Sequence, residues 1–105
     1  MPAAPADKAR QAARAAADKK AHGLQLLDLQ GLSGFADAFL LCTGSSTTHV
    51  RTIADAVEAM LKAAGQRALH REGAPESGWV LLDYGDVVVH VFRSEERRVG
   101  KECRL

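Results

Sequence analysis

Aromatic residues are scarce in this chain. One Trp, one Tyr and three Phe make up 5% of its 105 residues, although 47% are hydrophobic. A core built from it must rest on aliphatic packing, with the modest stability margin of one small domain. Cysteine is equally sparse: Cys42 and Cys103 lie far apart in sequence. A disulfide framework needs more cysteines, and a zinc site needs closer spacing. Within FLLCTG, Cys42 reads as a small buried apolar residue, and a reducing, cytoplasmic location is expected. No apolar run approaches the ~20 residues that span a bilayer, and the N-terminus has no apolar core of a secretory signal. The Arg- and Ala-rich start would suit a transit peptide, but it contains Asp7 and Asp18 and no Ser, which argues against that reading.

Charge is unevenly spread. Residues 1–23 carry five Lys/Arg against two Asp, residues 24–92 carry four against eight Asp/Glu, and residues 93–105 carry five against three. The acidic middle argues against binding a phosphate backbone, which takes a concentrated basic face. It suits a basic protein partner better.

What the chain does have is GWVLLDYGDVVVHVF, residues 78–92. Two β-branched and apolar runs, Trp79 to Leu82 and Val87 to Phe92, flank Asp83-Tyr84-Gly85-Asp86. This predicts a β-hairpin with a tight turn at Tyr84-Gly85 or Gly85-Asp86. The runs do not alternate cleanly with polar residues, so strands covered on both faces are expected, and the polar turn becomes the place to look for function.

In chain order, residues 1–6 are expected to fray. Asp7 to Ala21 is an Ala-rich helix with a shallow apolar face, and Gly23 follows its end. Leu24 to Leu29 predicts a strand, Gln30 to Asp37 a loop, and Phe39 to Thr43 a second strand. Val50, Ile53, Ala54, Val57, Met60 and Leu61 recur at helical spacing, with Ser45 or Ser46 as N-cap and Gly65 as stop. Gln66 to Arg71 predicts a third strand and Glu72 to Gly78 a loop before the hairpin. The order helix, strand, strand, helix, strand, strand, strand implies an α/β fold with a small mixed sheet flanked by helices.

Candidate chemistry is thin. Gly44-Ser45-Ser46 before a helix suits N-capping or an anion. Asp83 and Asp86 lie three apart across a turn, but no Asp-x-Asp pair or third carboxylate accompanies them, as two-metal catalysis would require. The four histidines, His22, His49, His70 and His90, lack metal-ligand spacing. His90 points away from Val89 and Val91 and is expected to be packed and hydrogen-bonded. Trp79 reads equally as core or as an interface anchor.

Several strings together resemble the ribosomal silencing factor family, also called Iojap-like. They are LDL at 27–29, LCTGSS at 41–46, HVRTIADAV at 49–57, EG at 72–73 and, above all, WVLLDYGDVVVHVF at 79–92. The likeness covers about residues 8–97 in matching order. It implies a nucleotidyltransferase-like topology without the catalytic carboxylates, and so a protein that is no enzyme and uses no cofactor or metal. It also implies a cytoplasmic translational repressor that binds the large ribosomal subunit. The contact would be the large-subunit ribosomal protein numbered fourteen, at the inter-subunit face, where binding blocks joining of the small subunit. No DNA or membrane partner is implied, and a homodimer is compatible with the resemblance. The family's exposed patch corresponds to Trp79, Asp83, Tyr84, Gly85 and Asp86, with Glu72, Gly73 and His49 nearby. Two alternatives stay open: a residual nucleotide-binding enzyme using Ser45, Asp83 and Asp86, and a plain dimerisation module.

The chain departs from the family pattern at Ala38, where an aromatic is usual. It departs again after about Arg97, where an aromatic pair and a Leu-Glu-x-Leu-Trp segment are replaced by VGKECRL. The expected organisation is one domain over residues 7–92, followed by a charged tail, 93–105, foreign to it.

Overall fold

The computed structural model describes residues 5–28 and 36–94. They form α1 (Pro5–Asp18), β1 (His22–Asp28), β2 (Ala38–Gly44), α2 (Thr47–Ala63), β3 (His70–Ala74), a 3₁₀ turn (Pro75–Ser77), β4 (Trp79–Asp83) and β5 (Val87–Arg93). This is the order of elements expected from the sequence. The strands make one mixed sheet in the order β1-β2-β5-β4-β3. Within it β2 and β5 run parallel and the other neighbours antiparallel. Residues 1–4, Leu29, the expected loop as far as Phe35, and the tail from residue 95 lie outside the described residues.

Local chemistry explains the boundaries. Helix α1 ends at Asp18 rather than Ala21. Lys20 takes a left-handed φ of 62°, and Ala21 N–H reaches back to Ala16 C=O at 3.0 Å, a stop of the Schellman kind that Gly usually makes. Helix α2 starts at Ser46, whose side chain accepts from His49 N–H at 3.1 Å. Strand β3 lies later than expected. Glu72 and Gly73, placed in a loop by their polarity, pair with Leu81 and Val80. An edge strand held by main-chain bonds to β4 needs no apolar alternation, so the pattern could not announce it. The hairpin turns at Gly85-Asp86: Tyr84 N–H donates to Val87 C=O at 2.8 Å, and Gly85 has φ 87°. A positive φ at the first central residue matches the right-handed twist of the flanking strands.

Burial alternates along the hairpin. Val80, Leu82, Val87, Val89 and Val91 are buried, while Trp79, Leu81, Val88, His90 and Phe92 are half-buried. The buried set joins Leu40 and Cys42 of β2 and meets Val50, Ile53, Val57 and Leu61 of α2. Each such aliphatic side chain contributes roughly 1.5–3 kcal/mol by leaving water. Helix α1 adds Ala9, Ala12 and Ala16, whose small side chains let its backbone approach closely. Both helices therefore cover one face. The expectation that these strands are covered on both faces is met on the helix side; on the other face, no element among the described residues packs, and the hairpin's side chains there are half-buried. The valine runs hid a two-residue period, because half-buried apolar residues alternate with fully buried ones.

Two long-range pins hold the helix layer to the sheet ends. Lys8 Nζ meets Asp86 Oδ1 at 2.8 Å, and Asp86 C=O accepts from Asp37 and Ala38 N–H. At the opposite end, His49 Nδ1 accepts from Ser45 N–H at 2.8 Å, so Nε2 carries the proton and donates to Lys19 C=O at 2.7 Å. Among the described residues, no helix is long and apolar enough to cross a membrane.

Candidate functional site

The sheet face away from the helices is ordered by register into three rows. One runs Phe39, Val88, Asp83, His70; the next Leu41, His90, Leu81, Glu72; the third Thr43, Phe92, Trp79, Ala74. Strands lie about 4.8 Å apart and alternate side chains about 6.8 Å along a strand, so the rows make one continuous surface. Its middle is apolar. Its β3 side carries carboxylates: Glu72 is exposed and Asp83 half-buried. Rings organise the centre. Phe39 meets His90 edge-to-face at 5.2 Å, and Phe92 stacks on His90 at 6.0 Å with planes 5° apart. His90 is packed as expected, yet its buried Nε2 has no hydrogen-bond partner. Burial lowers its pKa from the usual histidine value.

The sequence-predicted residues divide between this face and the rest of the fold. Trp79, Asp83 and Glu72 lie on it. The Trp79 indole sits directly against Gly73, where a Cβ would fall 2.4 Å from Trp79 O and 2.7 Å from the ring. Tyr84 faces the helix layer and is only 6% exposed. Its hydroxyl is buried without a partner. Burial, with a further contribution from the Glu58 charge, pushes its pKa to about 12. Asp86 is engaged by Lys8, and Asp83 Oδ1 also accepts Gly85 N–H at 2.7 Å, so both carboxylates brace the turn. Both ring nitrogens of His49 are occupied. His49 follows β2 at the Gly44 end of the sheet, whereas Gly85 and Asp86 lie at the Ala38 end. The eight residues therefore do not form one patch.

The same topology bears on nucleotidyl transfer. Ser45 follows Gly44, which pairs with Arg93, whereas Asp83 pairs with Val88. Five residues of strand, roughly 17 Å, separate those positions, so Ser45 cannot share a reaction centre with Asp83 and Asp86. Clefts of about 200 to 350 Å³ on the helix layer include none of the three. Among the described residues, no cluster of three or more His, Cys, Asp or Glu is placed to hold a metal ion.

Sequence reasoning passed over Leu41, Leu81, Val88 and Phe92 as site residues. The signal was present: counting by two from Trp79 and from Val88 picks out the outer face of both hairpin strands.

Comparison with known proteins agrees with this architecture. The family described as "Ribosomal silencing factor during starvation" matches residues 2–99. The ribosomal silencing factor RsfS of Bacillus subtilis is 44% identical over 86 residues, spanning 82% of this chain and 73% of that protein. A crystal structure from Chromobacterium violaceum superposes with TM-score 0.82 at 33% identity, covering 87% of this chain and 76% of the other. One from Bacillus halodurans gives TM-score 0.77 at 39% identity, covering 85% and 83%. Matched over nearly its whole length and sharing the fold at these identities, the chain belongs to the ribosomal silencing factor family.

Proposed function

We propose that this protein represses translation by docking its open sheet face on a basic protein of the large ribosomal subunit. In the docked position its helix layer occupies space that the small subunit needs. The observation that carries this reading is the continuous apolar surface around Leu81, His90 and Phe92, bordered by Glu72 and Asp83. An apolar centre with a charged border is the anatomy of a protein interface. Acidic residues on the border steer a basic partner into register and make association salt-sensitive. The mechanism is steric competition and involves no bond-making step. The large-subunit protein numbered fourteen, which the family resemblance implies, fits as the partner, and the docking domain is the α/β unit of residues 7–92.

Co-sedimentation with purified bacterial large subunits tests the reading. Wild-type protein is expected to travel with the subunit. Leu81→Asp, which puts a charge at the centre of the face, is expected to bind at least about tenfold more weakly while folding normally. Glu72→Lys is expected to weaken binding mainly at low salt. Failure of the wild type to co-sediment would sink the proposal. Undiminished binding by Leu81→Asp would move the contact to another surface.

A further inference from the structure

We propose that docking through the open face requires His90 in its neutral form, so that protonating this one ring releases the partner. The inference rests on the docking reading above and concerns how that same face is regulated.

Position carries the argument. His90 lies on β5, the middle strand of the five, in the middle row of the open face. Its cross-strand neighbours are Leu41 and Leu81. Phe39 and Phe92 pack against the ring along the sheet. Any partner that covers the apolar centre must also cover His90.

A neutral imidazole is the form this position accepts at the smaller cost, because one unpaired uncharged nitrogen in an apolar setting costs far less than an unpaired charge. In an imidazolium both nitrogens become donors and the ring carries a full charge. Nε2 is already buried with no partner in the free protein. Among the described residues, the charged groups on the face are few. From β2, Phe39 and Leu41 bring none, and from β5, Val88 and Phe92 bring none. On β4, Asp83 lies one row away, opposite Val88. On β3, Glu72 lies beyond Leu81 and His70 beyond Asp83. The Arg71 guanidinium points to the other face, towards Asp55 and Glu58. Burial holds the ring's pKa below the usual histidine value.

The sign of the coupling follows. Covering the face removes more water from the ring, which favours the neutral form further. Binding and protonation then compete, each weakening the other by the same factor. Affinity is fully present above the free-state pKa and is lost as pH falls through and below it.

The test is the affinity for purified large subunits between about pH 7.5 and about pH 5.5, for wild type, His90→Phe and His90→Gln. Wild-type affinity is expected to fall as pH drops through this range, beyond any change in the variants. Neither variant can titrate at this position, so both should show the flatter profile. His90→Gln carries the comparison if His90→Phe disturbs folding, judged by thermal melting. Equal pH profiles in wild type and variants would overturn the inference and leave docking intact. A wild type that binds at no pH would overturn the docking reading, and this inference with it.

Discussion

Lys8 and Asp86, 78 residues apart in sequence, form an ion pair of 2.8 Å between the first helix and the hairpin turn. The two partners differ in exposure. The Lys8 side chain is 7% exposed and that of Asp86 28%. Removing Asp86 leaves an ammonium group stranded away from water, whereas removing Lys8 leaves a carboxylate that water can reach. Asp86→Asn is therefore expected to destabilise the protein by about 2–3 kcal/mol, and Lys8→Met by about 1 kcal/mol or less. Urea unfolding of the two variants checks this, and equal losses would count against the asymmetry.

Tyr84 should matter through its ring and hardly at all through its hydroxyl. The hydroxyl is buried without a partner, so Tyr84→Phe is expected to lie within about 0.5 kcal/mol of wild type or to be slightly more stable. Tyr84→Ala, which empties the site, is expected to cost about 3 kcal/mol or more. Its ionisation gives a second readout. The folded pKa is raised to about 12 from 10.0, so the unfolded chain loses its proton first as pH rises. Stability is then whole below about pH 10 and falls by up to about 2 kcal/mol on the way to about pH 12. Tyr84→Phe should lack that part of the alkaline slope. This is the only tyrosine in the chain, so its ultraviolet titration reports it without interference.

These residues also show what the sequence made legible. The element order, the α2 cap at Ser46 and the hairpin were all readable, because each rests on local chemistry: helical spacing, a side-chain acceptor and a glycine turn. The location of the candidate site was less so. The string DYGD looks like an exposed polar turn, yet Tyr84 points into the helix layer and Asp86 is claimed by Lys8. Neither fact is local, since Lys8 is distant in sequence and strand direction decides which way Tyr84 faces. His49 was equally opaque: its partner is a main-chain oxygen thirty residues away. The open face went unread because its apolar residues sit beside buried valines of similar character, and only the placement of α1 and α2 on one side distinguishes them.

Lys20 offers a stabilising change. It ends α1 with φ 62°, a left-handed conformation that costs a residue with a Cβ roughly 1–2 kcal/mol. Its side chain is exposed. Lys20→Gly relieves that strain but adds freedom to the unfolded chain, leaving an expected net gain of about 0.5–1 kcal/mol. A higher melting temperature with unchanged binding to large subunits is the expected result. A loss of stability would mean that the Lys20 side chain makes a contact worth more than the strain.

Gly73 is where backbone geometry and the candidate face depend on each other. Its φ of +79° is one that side chains rarely adopt, and an added Cβ would fall 2.4 Å from Trp79 O and 2.7 Å from Trp79 Cε3. The carbonyl belongs to a paired strand and cannot move without disturbing the ladder with β5, in which Trp79 opposes Phe92. The indole can move only by lifting off the sheet. Gly73→Ala is therefore expected to cost about 2 kcal/mol or more, the sum of backbone strain and displacement. Since Trp79 is the only tryptophan, its fluorescence in the folded variant should report greater exposure to water. Binding to large subunits should weaken as well, because the indole would stand proud of the docking face. A folded Gly73→Ala protein with native stability and an unchanged emission spectrum would show that the indole and the glycine are not interlocked. Weakened binding alongside native stability and emission would instead give Gly73 a direct part in the interface.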